Sequence, residues 1–238
     1  MNFDTWVAYL GMDPDGWGVA MLQGAVVTLE ISFGAFLVGI VLGLLGAFAK
    51  LSGIQPLVRI AQAYTTLCRA VPELLLILLL YFAGTDAVNL LISAVGVGPV
   101  SVNGFAAAVI VLGIVQGAYA SEIIRGAILA IPYGQIEAGR VFGARPGLVL
   151  RRVILPAMAP YALAGFANLW LILVKDSALI SVVGYNELLS TAKQAAGSTR
   201  EYLRYYLLVA AVYFIITSLS NILFREIERR FGRWMPSS

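Results

Sequence analysis

Five long apolar stretches dominate this sequence and limit what it can fold into. The clearest is residues 205–224, twenty positions without a charged side chain. A helix needs about 20 such residues to cross the hydrocarbon core of a bilayer. Hydrophobic residues make up 60% of the chain and charged residues only 12%, whereas soluble proteins carry about 25% charged residues. The pattern therefore predicts an all-α integral membrane protein and excludes an ordinary soluble globule.

Four further spans complete the prediction of one membrane domain over residues 1–238. The apolar run 74–81 is too short to cross a bilayer alone. We therefore join it to residues 55–71 as span two, with Pro72 and Glu73 inside the span or at its edge. Spans one, three and four are predicted within residues 18–49, over about 103–130, and within 156–177.

The basic residues indicate how the spans are oriented. If loop one–two, loop three–four and the C-terminus face the cytoplasm, that side holds 12 of the 16 Lys and Arg residues. Cytoplasmic loops carry such an excess. The first basic residue is Lys50, and a cleaved signal peptide would need a basic start. Asp4, Asp13 and Asp15 precede it. We predict a multi-pass protein with its N-terminus outside and its C-terminus in the cytoplasm.

Catalytic and metal-binding motifs find no support. The sequence has no histidine, and its single cysteine, Cys68, cannot form an internal disulfide. A phosphate-binding P-loop requires a Gly-Lys pair, but Lys50, Lys175 and Lys193 follow Ala, Val and Ala. The net charge of +3 is too small to suggest nucleic acid. We therefore predict no enzymatic activity and no cofactor bound by this chain.

The loop between spans three and four, residues 132–156, is unusually long. Its apolar residues, among them Ile136 and Phe142, alternate with Arg140, Arg145 and two further arginines. This pattern predicts a short amphipathic helix followed by a turn on the cytoplasmic face. Such a helix either lies on anionic lipid or docks into a groove on a soluble partner.

A motif in this loop closely resembles the EAA loop of ABC importer permeases. Glu137-Ala138-Gly139 is followed after three residues by Gly143, and after nine more by Val153-Ile154-Leu155-Pro156. The family pattern is Glu-Ala-Ala, three residues, Gly, nine residues, Ile, one residue, Leu-Pro. Gly139 and Val153 depart from it conservatively. The resemblance implies that contact with an ATPase is made by Glu137, Ala138, Gly139, Arg140, Gly143 and Pro156.

Two local expectations accompany this motif. Gly143 suits a sharp bend between the docking helix and the returning chain, because glycine adopts backbone conformations that other residues avoid. Glu137 is expected in the first helical turn after Pro132 and Gly134, where a carboxylate complements the helix dipole.

The resemblance extends over most of the chain. Residues 64–74, 117–126 and 175–184 are similar to signatures of the polar amino-acid branch, which includes permeases for histidine, for lysine, arginine and ornithine, and for opines. It implies the type I ABC importer permease fold, with five transmembrane helices and a cytoplasmic coupling helix. The implied function is ATP-driven import of a polar, basic amino acid or an opine across the bacterial inner membrane.

The same resemblance implies the partners. These are a homologous second permease subunit, forming a heterodimer rather than a homodimer, two copies of an ABC ATPase that carry ATP and Mg, a periplasmic substrate-binding protein, and membrane lipid. Two rival functions are kept: an ion-coupled secondary amino-acid transporter and a non-transporting membrane scaffold. Five spans in 238 residues and the docking loop argue against the first rival.

Ionisable residues inside spans often mark a substrate pathway. The candidates here are Glu30, Glu73, Lys175 and Asp176. Arg69 and Glu73 are four residues apart, and Glu122 and Arg125 are three apart, so each couple is predicted to pair across one helical turn. Interhelical hydrogen bonds are the favoured interpretation of the polar residues Gln116 and Asn168.

Overall fold

The structure, a computed structural model, describes residues 16–94 and 103–232. Every regular element in these two ranges is a helix. The acidic residues Asp4, Asp13 and Asp15, and Arg233 of the predicted cytoplasmic side, lie outside them. In chain order the helices are α1 (Gly18–Leu51), α2 (Gln55–Ala70), α3 (Glu73–Ala94), α4 (Gly104–Leu129), α5 (Tyr133–Val141), α6 (Pro146–Val149), a π-helical turn (Leu150–Ile154), α7 (Leu155–Asp176), a 3-10 helix (Ser177–Val183), α8 (Leu188–Thr199) and α9 (Tyr202–Gly232).

Five helical segments of the described chain are long and apolar enough to cross a membrane, which agrees with the predicted number. They are Gly18–Leu51, Glu73–Leu91, Gly104–Leu129, Pro146–Val183 and Tyr202–Arg230. The first and third match the predicted bounds closely. The fourth and fifth are longer than predicted because helical winding continues past the apolar core of each segment.

The prediction for span two is wrong. Residues 55–71 do not continue into the second span; they form the separate helix α2, which ends before Pro72. Proline disfavours helical backbone in the residue before it, and Val71 is extended, with φ −96° and ψ 139°. Span two is therefore α3 alone, and Glu73 is its first residue.

The chain divides into two compact units. The first comprises the described parts of Met1–Ala35, Leu74–Leu112 and Ile172–Ser218. In its core, α8 packs its buried alanines and Leu188 against Met21, Tyr205 and Val209. A Cβ on Gly24 would lie 3.0 Å from the Cα of Leu188, so this glycine permits the close approach of α1 to α8.

The second unit comprises Phe36–Glu73, Gly113–Leu171 and the described part of Leu219–Ser238. Its core joins the end of α1 to α4 and α7 through Ala47, Ile124, Ile128 and Met158. Small residues bring α1 and α4 together, since a Cβ on Gly43 would lie only 2.5 Å from the Cβ of Ala120. This unit carries both the loop 132–156 and the polar cluster described next.

Candidate functional site

The loop 132–156 forms a helical hairpin. Helix α5 ends at Val141, and the chain reverses at Gly143, whose φ is +75°. The amide of Ala144 donates to the carbonyl oxygen of Gly139 at 3.2 Å and closes the turn. Residues other than glycine rarely adopt this backbone conformation, so the expectation that Gly143 forms a sharp bend is confirmed.

Gly139 faces the returning arm of the hairpin. A Cβ at this position would lie 3.4 Å from Val153 and 3.6 Å from Val149, so a small side chain fits and a larger one would separate the arms. Glu137, Ala138, Arg140 and Pro156 are exposed. The hairpin therefore uses Gly139 for internal packing and leaves these four residues at its surface.

The placement of Glu137 in the first helical turn is wrong. Helix α5 begins at Tyr133, and its first turn contains no acidic residue. Glu137 is the fifth residue of the helix, where the influence of the dipole has faded. Its exposed carboxylate is thus available for a contact outside the chain.

The tip of the hairpin is apolar and exposed. Val141 is 84% exposed and Phe142 is 89% exposed, more than the other large hydrophobic residues of the described chain. These two adjacent apolar side chains lie at the turn beside Arg140 and are in contact with solvent in the single chain.

A cluster of charges lies between the end of α1, α2 and α4. The ammonium group of Lys50 pairs with one carboxylate oxygen of Glu122 and donates to the hydroxyl of Thr65 at 2.6 Å. The other oxygen of Glu122 accepts from Arg125 at 3.0 Å. The Glu122–Arg125 pair confirms the prediction, whereas the part of Lys50 was not foreseen.

The predicted pairing of Arg69 with Glu73 is wrong. The break at Pro72 places the two residues on different helices, so they do not share a helical face. The guanidinium carbon of Arg69 instead lies 6.0 Å from the ring centroid of Tyr119, within the range of a cation–π contact.

These residues line a polar cavity of about 390 Å³ in the second unit. Basic and acidic side chains in its wall come from α1, α2 and α4. The lining residues are Lys50, Gln62, Thr65, Thr66, Arg69, Ala70 and Glu122.

The candidates for the substrate pathway are divided between the units. Glu73 is the first residue of α3; it belongs to the second unit and is half-buried. Glu30, Lys175 and Asp176 belong to the first unit. Glu30 and Lys175 are exposed, and Asp176 is half-buried. The adjacent residues Lys175 and Asp176 thus differ in environment, as expected of neighbours that point in different directions on a helix.

Of the two polar residues with predicted interhelical bonds, Gln116 is fully buried and Asn168 is exposed. The Cβ of Gln116 lies 3.3 Å from where a Cβ of Gly39 would be. Gln116 therefore sits at a tight contact between α1 and α4.

A buried carboxylate, that of Glu187, was not predicted from the sequence. Glu187 is 0% exposed and caps the N-terminus of α8, accepting from the amides of Leu189 at 2.9 Å and Ser190 at 2.7 Å. The hydroxyls of Thr28 and Tyr213 donate to it at 3.3 and 3.2 Å. Burial raises the pKa of the Glu187 carboxyl, although these hydrogen bonds oppose the shift. Glutamate is not among the residues that usually cap helix N-termini, so the local sequence carried no signal for this role of Glu187.

Comparison with known proteins decides the family. The family model described as "Binding-protein-dependent transport system inner membrane component" matches residues 19–233. The chain belongs to this family. Among its curated relatives is the octopine transport system permease protein OccQ of Rhizobium radiobacter, 42% identical over 225 residues that cover 94% of this chain and 95% of the relative. The histidine/lysine/arginine/ornithine transport system permease protein HisQ of Escherichia coli K12 is 38% identical, over 91% and 95% of the two chains.

Solved structures support the same family fold. A chain from the "Crystal structure of an amino acid ABC transporter with histidines" superposes with a TM-score of 0.77 and 30% identity, covering 97% of this family member and 99% of that chain. A chain from an inward-facing MetNI methionine ABC transporter gives a TM-score of 0.73 at 25% identity, with 89% and 96% covered. The predicted fold class, an all-α ABC importer permease, is therefore confirmed.

Proposed function

We propose that the chain is the transmembrane subunit of an ATP-driven importer that moves a polar, basic amino acid or an opine across the inner membrane. The observation that carries this proposal is the 42% identity to an octopine permease over nearly the full length of both chains. The similar identity to a histidine/lysine/arginine/ornithine permease points to the same class of cargo.

The chain contributes the pathway and takes its energy from a partner. The exposed tip of the hairpin, with Val141, Phe142 and the adjacent Arg140, supports docking to a soluble ATPase. Burial of an aromatic anchor in a pocket of the partner supplies much of the energy in such contacts. The ATPase, in two copies, holds ATP and Mg, and this chain performs no chemical reaction.

Two further partners follow from this function. A homologous second permease, rather than an identical copy, completes the pathway, and a periplasmic binding protein delivers the cargo. Large apolar side chains along α9, such as Leu207, Phe214 and Ile222, are exposed in the single chain, which supports their burial by lipid or by the second permease. The N-terminus lies outside and the C-terminus in the cytoplasm, in accordance with the excess of basic residues on that side.

The cargo pathway involves ionisable residues of the spans. Glu73 and Asp176 are the candidates to neutralise a cationic side chain, with Lys175 and Glu30 as further candidates. A cation entering an apolar region needs a compensating carboxylate, because burial of an unpaired charge is costly.

The test is uptake into proteoliposomes that contain this chain, the second permease and the ATPase, with the binding protein supplied. We expect accumulation of labelled arginine, histidine or octopine that requires ATP and is inhibited by vanadate. Uptake that follows an imposed ion gradient without ATP would replace the proposal with a secondary transporter. Absence of uptake and of substrate-stimulated ATP hydrolysis in an intact complex would favour the scaffold.

A further inference from the structure

The cavity in the second unit has a one-sided set of polar groups. Gln62, Thr66 and Arg69 line it from α2, and their spacing of four and three residues places them on one helical face. The volume of about 390 Å³ falls within the roughly 300–1,000 Å³ of small-molecule sites. All three side chains are exposed in the single chain, so the cavity is open on this side and a ligand would meet hydrogen-bond donors along one open wall.

The charges in the cavity wall are not balanced. Glu122 is already neutralised, because one of its oxygens pairs with Lys50 and the other with Arg125. Arg69 forms no ion pair or hydrogen bond with any residue in the described ranges, and its recorded contact is the ring of Tyr119. Since the lining holds Lys50 and Arg69 against Glu122 alone, it has an excess of one positive charge.

We propose that this cavity binds the α-carboxylate of the transported amino acid, with Arg69 as the residue that pairs with it. The inference rests on the proposed function, because that function supplies an amino-acid cargo. A guanidinium group presents paired donors that match the two oxygens of a carboxylate. The hydroxyl of Thr66 and the amide of Gln62 lie on the same face of α2 and add donors for the same group.

The charge of the cavity also fixes the orientation of the cargo. A cationic side chain would be repelled by Lys50, Arg69 and Arg125, while the single carboxylate of Glu122 is held between two of them. The carboxylate of the cargo therefore faces Arg69, and its side chain points away from the cavity. The site reads the part that all amino acids and opines share, which suits a permease whose relatives carry several different cargoes.

The experiment measures binding to the complex of both permeases and the ATPase, without binding protein, in nanodiscs of neutral phosphatidylcholine. Tritiated arginine is the probe, and argininamide, which lacks the carboxylate, is the competitor. We expect the wild-type complex to prefer arginine by about tenfold or more. In Arg69→Gln the affinity for arginine should fall by about that factor, while the affinity for argininamide stays unchanged.

Arg59→Gln is the matched control, because Arg59 is an exposed arginine of α2 that does not line the cavity. It should behave as the wild type. Arg69→Lys, which keeps the charge but loses the fork of donors, should retain part of the preference. If Arg69→Gln does not assemble, Thr66→Val tests the same site, with an expected loss of about threefold for arginine and none for argininamide.

Several outcomes would overturn the site. These are an equal preference for arginine in wild type and Arg69→Gln, equal losses in Arg69→Gln and Arg59→Gln, or no saturable binding of arginine to a wild-type complex that imports it. If phosphatidylglycerol in the nanodisc displaces arginine from the wild type but not from Arg69→Gln, the cavity is a lipid headgroup site instead. Parallel uptake assays separate the two proposals. If the proposed site is wrong, the wild-type complex still imports arginine in an ATP-dependent way. If the wild-type complex shows no ATP-dependent import, the proposed function itself is refuted.

Discussion

The ammonium group of Lys50 forms an ion pair with the carboxylate of Glu122, 72 residues later in the chain. The side chain of Lys50 is 5% exposed and that of Glu122 is 27% exposed. Arg125 also pairs with Glu122, whereas the second partner of Lys50 within residues 16–94 and 103–232 is the hydroxyl of Thr65, which carries no charge. Lys50 therefore depends on Glu122 for its countercharge, whereas Glu122 retains Arg125 when Lys50 is removed.

This inequality predicts different costs for removing each residue. Glu122→Gln leaves the buried Lys50 ammonium without a countercharge, and we expect a loss of about 3 kcal/mol in the free energy of unfolding. Lys50→Met leaves Glu122 paired with Arg125 and should cost less. Thermal unfolding of the purified complex in detergent measures both. The double variant should be more stable than Glu122→Gln alone, and equal stability of the two single variants would contradict the arrangement.

The contact of α1 with α4 makes a second prediction. In Gly43→Ala the new Cβ would lie 2.5 Å from the Cβ of Ala120 and 3.0 Å from its backbone carbonyl carbon. The two helices must therefore move apart, which should lower the free energy of unfolding by about 2 kcal/mol or more. Gly126→Ala is the control on α4, since no atom lies within 4 Å of its Cβ position, and higher helix propensity stabilises it by up to about 1 kcal/mol. Melting temperatures should move in opposite directions. Similar shifts in both variants would contradict this packing.

Glu187 makes the stability of the first unit depend on pH. Because burial raises the pKa of its carboxyl in the folded chain, the folded state binds the proton more tightly than the unfolded state. The stabilisation due to this group is complete below the ordinary pKa of 4.5 and is lost as the pH rises through the raised value. The measurement compares melting temperatures at about pH 5 and about pH 8. We expect the fall in melting temperature between these two conditions to be smaller in Glu187→Gln than in the wild type. Glu226→Gln, at an exposed ion pair, should follow the wild-type profile, and identical profiles in all three proteins would refute the linkage.

The hairpin 132–156 should couple transport to ATP hydrolysis. Gly143→Val introduces a β-branched residue at φ +75°, which strains the bend by about 1–2 kcal/mol or more. Glu137→Lys reverses an exposed charge on the docking helix. Both variants should insert normally but lose about tenfold in uptake, since 1.4 kcal/mol of docking energy is a factor of ten. Gly134→Ala, at an open position of α5, serves as control. Wild-type uptake and ATPase co-purification in the two variants would rule out docking through this hairpin.

Asp176 should affect the cargo more than the assembly. The proposed pairing of Asp176 with a cationic cargo would be lost in Asp176→Asn, and removal of one member of a buried charged pair costs a few kcal/mol. Uptake of arginine should therefore fall about tenfold or more. Basal ATPase activity, measured on the same proteoliposomes, should change little. A proportional fall in uptake and ATPase activity would mean that Asp176 supports the structure, and unchanged uptake would place the pathway elsewhere.

The sequence alone determined the features that depend on local patterns. Uninterrupted apolar runs specify helices that must lie in a membrane, because their backbone is satisfied internally and their side chains avoid water. The EAA spacing located the hairpin, and Gly143 was expected at its bend because a positive φ favours glycine. Pro72 is also a local signal, because the residue before a proline is biased towards extended backbone. Val71 is extended, and this break separates α2 from span two, contrary to the prediction of one continuous span.

Only the tertiary structure decided which distant side chains meet. Lys50 and Glu122, or Thr28 and Glu187 at 159 residues apart, are joined because helices pack at particular depths and rotations. The relative positions of the helices are set by contacts such as that of Gly43 with Ala120. The hydrophobic periodicity of a single helix does not specify such contacts between helices. For the same reason the sequence assigned Arg69 to its neighbour Glu73. The packing of α2 on α4 instead placed Arg69 over Tyr119, at the wall of a cavity.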